Sequence, residues 1–497
     1  MKIITSQIDV IGKRSPMIYG QFIEHFHRQI YGGIYDPGNS LSDEEGFRKD
    51  VLEALKAIRV PVIRWPGGCF VSAYHWKDGV GRTRVPYFDK AWRVEEPNKF
   101  GTDEFISYCR KLGCEPYICT NAGTGTAEEM SDWVEYCNLQ AKGKFARMRI
   151  QNGYENPFGV RFWSIGNENY GGHEIGAKSA VEWGRLVVEA AKMMKHVDPT
   201  IELSAAALTD LDWNINLLRQ SGQFLNWISI HQYWDQIHET NRPADYPAVL
   251  AFTAHTEDAI RKVRGLLMAM GLENRIKIAF DEWNLKEWYH PRVHTIEQGV
   301  SEEEYVSPRD GNDDNSLYTM GDAVFTACFL NALNRNCDVV GMANFAPVIN
   351  TRGCIFTYPE GIVLRSTYHV FYLYTNYMGD IVRKAGCPGM ERLTVCNSKG
   401  KEETVDMLDI CVTEFSDGPG MAVAVVNKSA EDDAEAELEL DADGEVKGYY
   451  ICGERVSSYN DIARTEIYVH EEELGNYKKG MTVRIRPHSI EIFRIGC

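Results

Sequence analysis

The sequence predicts an α/β protein, a (β/α)8 barrel followed by a C-terminal β-sandwich. Three observations predict it. Eight short apolar runs alternate with helix-periodic segments between residues 16 and 372, and each run ends in polar residues or glycines. After residue 373 the pattern changes to short alternating runs such as Ala434–Leu440 and Val483–Arg486, broken by Gly, Asp and Pro. The N-terminal residues 1–15 alternate in the same way, with Ile3, Ile8 and Val10, and are expected in the sheet of the second domain. Eight strands with intervening helices close a barrel whose catalytic groups sit at the strands' C-terminal ends; alternation of period two marks half-exposed sheet.

Taken in order, Ile18–Ile23 is the first barrel strand and delivers Glu24 and His25. Ser42-Asp-Glu-Glu45 has capping-box spacing ahead of Val51, Leu52, Leu55 and Ile58. Val60–Trp65 exits into Pro66-Gly67-Gly68-Cys69. Glu115–Thr120 ends at Asn121, and Thr126 with Glu129 caps the next helix. The fourth strand, through Val160, Phe162 and Ile165, stops at Gly166-Asn167-Glu168. A helix over 178–196 follows, closed by Asp198-Pro199. Ile201–Ala206 is the fifth strand, and Trp227–Ile230 is the sixth, exiting into His231 and Tyr233. The helix bearing Ile260, Val263 and Leu267 stops at Gly271 and leads into the seventh strand, which ends at Asp281-Glu282. Val339–Met342 is the eighth. A barrel of this length exceeds the usual ~250 residues, so insertions are expected, at 74–103 and 285–315.

Two strands that end in Glu change what either Glu means alone. A lone carboxylate after a strand most often forms a structural ion pair. Hydrolysis of a glycosidic bond needs two, one to protonate the leaving oxygen and one to attack the sugar or activate water. Glu168 and Glu282 are therefore the candidate catalytic pair. Arg64, at the end of the second strand, would keep Glu282 ionised, and His231 is placed to tune both.

Composition narrows the class. At 497 residues, with 44% hydrophobic and 25% charged, the chain is ordinary for a globular protein of two domains. The formal charge of −18 argues against nucleic acid and anionic membrane as partners and suits a neutral ligand. Thirteen scattered cysteines show no zinc spacing and read as reduced thiols. The N-terminus lacks a secretory apolar run, which points to the cytoplasm. No metal or other cofactor is expected: Glu24, His25 and His27 lack a helical ligand spacing, neither glycine-rich nucleotide motif is present, and Cys69 has no visible His partner.

Six stretches in one order carry a resemblance: Tyr19–His25, Arg64–Cys69, Asn98–Phe105, Gly166–Asn169, His231–Tyr233 and Asp281–Asn284. Together they resemble the α-L-arabinofuranosidases of glycoside hydrolase family 51. The resemblance implies a jelly-roll for the second domain and a retaining double displacement, with Glu168 as acid/base and Glu282 as nucleophile. It implies that Glu24, Cys69, Asn167 and Tyr233 contact the furanose and that Trp92 lines the leaving-group side. The expected activity is removal of terminal α-L-arabinofuranosyl groups from oligosaccharides by a homo-oligomer, a hexamer in many members. One departure is Pro347, where the pattern offers a Gln; proline has no side-chain donor. Two rivals are an endo-β-glucanase on the same barrel, which needs an open groove, and a silent carbohydrate-binding protein, which would bind without turnover.

Overall fold

The computed structural model describes residues 1–237, 242–287 and 311–496. Its centre is a closed parallel barrel of eight strands in chain order: Gly20–Phe22, Val62–Trp65, Glu115–Thr120, Phe162–Ile165, Glu202–Ala207, Trp227–Asp235, Lys277–Lys286 and Val340–Phe345. The last pairs with the first through Asn344–Gly20 and Phe345–Gln21. Most of these strands are buried along their whole length, with side chains inside the barrel and helices outside, so they appear in the sequence as unbroken apolar runs. Val62, Tyr117, Phe162, Ala279 and Met342, near the strand starts, form a small separate core. It leaves the polar groups to gather at the opposite, C-terminal ends.

The helices begin where local chemistry allows it. Thr126 accepts from Glu129 N and caps Ala127–Asn138, as its spacing predicts. Ser179 and Glu182 form a full capping box for Ala180–Val197, whose Trp183, Val187, Ala190, Ala191 and Met194 face the core. Ser42 is different: the helix there is Lys49–Ala57, and no side chain of its N-cap residue Arg48 caps it. Asp43 instead accepts from Glu45 N and Phe47 N, so this acidic stretch is a turn. Competition from such side-chain bonds is what makes Ser and Asp ambiguous between caps and turns.

Strands six and seven run further than their apolar stretches. They stay paired from Lys277–Trp227 through Glu282–His231 to Lys286–Asp235, with a register shift between Ala279 and Glu282. His231, Tyr233 and Glu282 therefore sit inside strands, held by ladder bonds on either side. The insertion at 74–103 folds as a short 3-10 turn, Trp76–Gly79, and a small hairpin pairing Tyr87–Phe88 with Glu95–Glu96, at whose tip lies Trp92. The insertion expected at 285–315 falls largely outside the described residues.

Ile355–Tyr358 with Gly361–Leu364 and Arg392–Cys396 with Glu402–Asp406 form two small hairpins, and nine other strands form one sheet in which Lys2–Lys13 lies between Ile381–Gly386, antiparallel, and Ala434–Glu439, parallel. Alternate residues divide its faces. Ala422, Ala424, Val426, Ile490 and Ile492 join the barrel's core, while Val423, Val425, Phe493, Ile495, Val483, Leu438 and Ile3 enclose a second one. The helix Ser366–Tyr377 runs across residue 372, so the chain enters this sheet only at Ile381. Arg335, on the helix Met320–Arg335, ties barrel to sheet through Asp409 at 2.6 Å.

Candidate active site

Glu282 is 7% exposed and held from two directions. Arg64 Nη1 donates to its Oε2 over 2.9 Å, and the Tyr233 hydroxyl donates to its Oε1 over 2.6 Å. Arg64 is wholly buried; its Nη2 donates to Asn167 Oδ1 at 2.8 Å and its Nε lies 3.6 Å from Asp281. Asp281 accepts from Tyr117 and Ser229, so strands two, three, six and seven meet in one polar network. Burial would raise the Asp281 carboxyl, but Arg64, His231 and Ser229 outweigh it and hold it below the usual range.

Glu168 follows strand four with a φ of 45°, the left-handed region that non-glycine residues seldom occupy. Strain of this kind persists where the surroundings over-determine the conformation. Here they do: Oε1 lies 2.8 Å from His231 Nδ1 and accepts from Tyr170 at 3.2 Å, and Oε2 lies 3.0 Å from His173 Nε2. Burial alone would raise the Glu168 carboxyl; hydrogen bonds and positive charge from His173 and His231 reverse this and hold it well below the ordinary range. His231 is itself pushed up to about 10, burial being outweighed by Glu282, Asp281 and Glu168. The bond to Glu168 takes His173 to about 9. In the free site the protons rest on the imidazoles and Glu168 is a carboxylate.

One oxygen of Glu168, one of Glu282 and a ring nitrogen of His231 lie within 4.8 Å of one another. Glu24 lines the same space. Its Oε1 accepts from Phe70 N at 3.0 Å and from Trp92 Nε1 at 2.9 Å. Burial, then the charge of Glu282, lifts its carboxyl to about 8. Gly67 and Gly68 are required beside it, since a Cβ on either would come within 2.5 and 2.9 Å of the Glu24 side chain. Cys69 borders Glu168, His173 and Glu174, and Asn167 Nδ2 reaches Glu174 Oε2 at 3.4 Å.

All nine residues singled out from the sequence thus meet in one pocket: Glu24, Arg64, Cys69, Trp92, Asn167, Glu168, His231, Tyr233 and Glu282. Sequence reasoning missed Tyr170, His173, Glu174 and Arg352. The first three follow Glu168 in a Gly171-Gly172 turn that signals a loop and nothing more. Arg352 donates to the Tyr233 hydroxyl at 3.0 Å from the segment after strand eight, beyond Pro347.

A pocket of two close carboxylates, an arginine, two imidazoles and an indole suits a neutral sugar and glycosidic chemistry. Comparison with known proteins decides the family. Residues 54–249 match the model of the α-L-arabinofuranosidase 1 domain, and 281–489 that of the α-L-arabinofuranosidase C-terminal domain. The chain is 37% identical over 485 residues to a probable α-L-arabinofuranosidase C of Aspergillus clavatus, covering 93% of this chain and 91% of that one. It belongs to the α-L-arabinofuranosidases of glycoside hydrolase family 51.

Other members of that family align along almost all of it. An intracellular exo-α-(1→5)-L-arabinofuranosidase of Halalkalibacterium halodurans is 31% identical, over 98% of this chain and 97% of that protein. The arabinose complex of the Thermotoga maritima α-L-arabinofuranosidase superposes with a TM-score of 0.86 at 34% identity, covering 99% of each chain. The chain is a glycoside hydrolase, and its barrel with a sheet-rich C-terminal domain is the fold of these arabinofuranosidases. Among the described residues no helix is long and apolar enough to cross a membrane.

Proposed function

We propose that this α-L-arabinofuranosidase acts by retention on terminal, non-reducing arabinofuranosyl groups, with Glu282 as nucleophile and Glu168 as acid/base. The observation that supports it best is the approach of the two carboxylates to within 4.8 Å at their nearest oxygens. Retaining enzymes hold the two groups ~5–5.5 Å apart, whereas inverting ones leave ~6.5–9.5 Å for a water between them.

In the first half-reaction Glu282 attacks the anomeric carbon, the glycosidic C–O bond breaks, and the leaving oxygen takes a proton from Glu168. That proton comes from the Glu168–His173 pair: a glycosidic oxygen arriving at Glu168 Oε2 displaces the exposed imidazole, which transfers the shared proton to the carboxyl as it leaves and departs neutral. Ester formation removes the charge of Glu282, which favours the carboxylate form of Glu168. It then takes a proton from water, the hydroxide adds to the anomeric carbon, and the bond to Glu282 breaks with configuration retained.

Glu24, Cys69, Asn167 and Tyr233 bind the furanose in this reading, and Trp92 lines the leaving-group side. Arg352 supplies a donor near the side where Pro347 has none. The substrate is an arabinose-containing oligosaccharide; residence is cytoplasmic, the assembly a homo-oligomer, and residues 1–15 with 381–496 form the domain that buttresses the barrel. NMR of the first-formed product from an aryl α-L-arabinofuranoside, beside a panel of other aryl glycosides and soluble glucan, tests this. Release of the β-anomer first, or preference for glucan, would sink it.

A further inference from the structure

Four side chains at the pocket mouth converge on a point that the proposed reaction does not use as a group. Cys69 Sγ, a ring nitrogen of His173 and one oxygen each of Glu168 and Glu174 lie within 4.8 Å of one another. A tetrahedral zinc with ligands at ~2.0–2.3 Å has edges of ~3.3–3.8 Å. Small side-chain rotations therefore close the set around an ion. Three of the four come from one turn, Glu168–Glu174, whose Gly171-Gly172 pair folds His173 back over Glu168.

Glu174 gives a second observation. It is 5% exposed, Oε2 receives Asn167, and the Ser72 hydroxyl and the Cys69 thiol are the other donors beside the carboxylate; burial outweighs them, with the charge of Glu168 adding to it, and holds the carboxyl above the usual range. A buried carboxylate beside a second one is costly when neutral donors are its only compensation. An ion among the four donors would satisfy it. The donor types choose the ion: thiolate, imidazole and carboxylate together suit zinc and its soft relatives, while magnesium and calcium demand six or more oxygens.

We propose that Cys69, Glu168, His173 and Glu174 form an inhibitory site for a divalent cation of the zinc class. The ion and the sugar exclude one another, because Cys69 and Glu168 serve both. Binding moves no electrons. The Cys69 thiol releases its proton to solvent as sulfur takes the metal, and the imidazole nitrogen likewise releases to solvent the proton it shares with Glu168. The result is an enzyme whose acid/base is withdrawn while metal is present and restored when it is removed.

Cobalt(II) titrated into full-length, chelator-stripped protein tests the site without any turnover, so the outcome is separate from the roles given to Glu168 and Glu282. The expected result is a near-ultraviolet thiolate-to-cobalt band saturating at one equivalent and displaced by zinc and by arabinose. Cys69→Ser should remove the band and weaken zinc binding roughly tenfold or more, and His173→Ala should keep the band but weaken the metal by a similar factor. Turnover of an aryl arabinofuranoside should fall in step with the band and return with EDTA. Thermal melts establish that both variants are folded. A band that survives Cys69→Ser, zinc binding unchanged by both substitutions, or no binding below millimolar metal would overturn the proposal.

Discussion

Arg64 Nη1 donates to Glu282 Oε2 across 2.9 Å from a guanidinium with no exposed surface. The same group reaches Asn167, the residue before Glu168. One cation on strand two thus fixes the two carboxylate-bearing segments relative to each other. Breaking a buried pair costs more than the pair contributes, because the partner is left charged and dry. Arg64→Met is expected to destabilise the protein by about 3–5 kcal/mol. Arg64→Lys keeps the charge but cannot fork to both partners; it should melt close to the parent yet lose about 10²-fold in kcat/KM through misplacement of the pair. Melting curves beside initial rates separate the two effects. Full activity in the Lys variant would show that the fork is dispensable.

Glu24 stores instability for function. Its carboxyl is lifted to about 8 by burial and by Glu282, while the unfolded chain ionises it near 4.5. The folded form therefore holds a proton that the unfolded form has lost, and stability falls as pH rises between those values. Glu24→Gln mimics the protonated group and still accepts from Phe70 and Trp92. Its melting temperature should match the parent at pH 4.5 and exceed it by a few degrees at pH 8, with weakened sugar binding. Equal melting at both pH values would count against the raised carboxyl.

His173 should titrate near 9 because Glu168 holds its proton. A histidine raised in the folded state contributes stability fully present below about 6.5 and lost as pH rises through about 9. Glu168→Gln removes the charge and should return the His173 ring resonance, assigned by its loss in His173→Gln, towards the ordinary range of about 6.5. An unmoved titration would mean that Glu168 does not govern it, and the proton supply proposed for the leaving group would have to come from His231.

The barrel was legible because its strands are buried on both faces and read as apolar runs. Their ends were less so: apolarity stops at Ile230, but pairing continues through His231 and Tyr233 to Asp235, since backbone ladders do not require apolar side chains. The helix Met320–Arg335 left no period to see, because nearly every residue from Met320 to Asn334 is buried. Glu168 and Glu282 could be paired because each ends an apolar run, although strand seven itself continues past Glu282 to Lys286. His173 and Arg352 could not. Their contacts with Glu168 and Tyr233 depend on how a glycine turn and a post-strand segment fold back, which no local pattern records.

The roles of the two carboxylates can be told apart by the face each one serves. If Glu282 attacks opposite the leaving group, Glu168 protonates the leaving oxygen and later activates water on that same side. Glu168→Ala should still be glycosylated by an aryl glycoside whose leaving group needs no proton, while turnover of natural linkages falls by about 10²-fold or more. Azide can enter the space left by the missing carboxylate and attack the glycosyl-enzyme, so it should accelerate turnover and yield a glycosyl azide of retained configuration. Glu282→Ala has no covalent step, so both substrate types should be nearly inert, and any azide product should be inverted because azide then stands in for the nucleophile. Retained product from Glu282→Ala with inverted product from Glu168→Ala would exchange the two roles. Undiminished turnover in both would move the chemistry away from the network that Arg64 and His231 hold together.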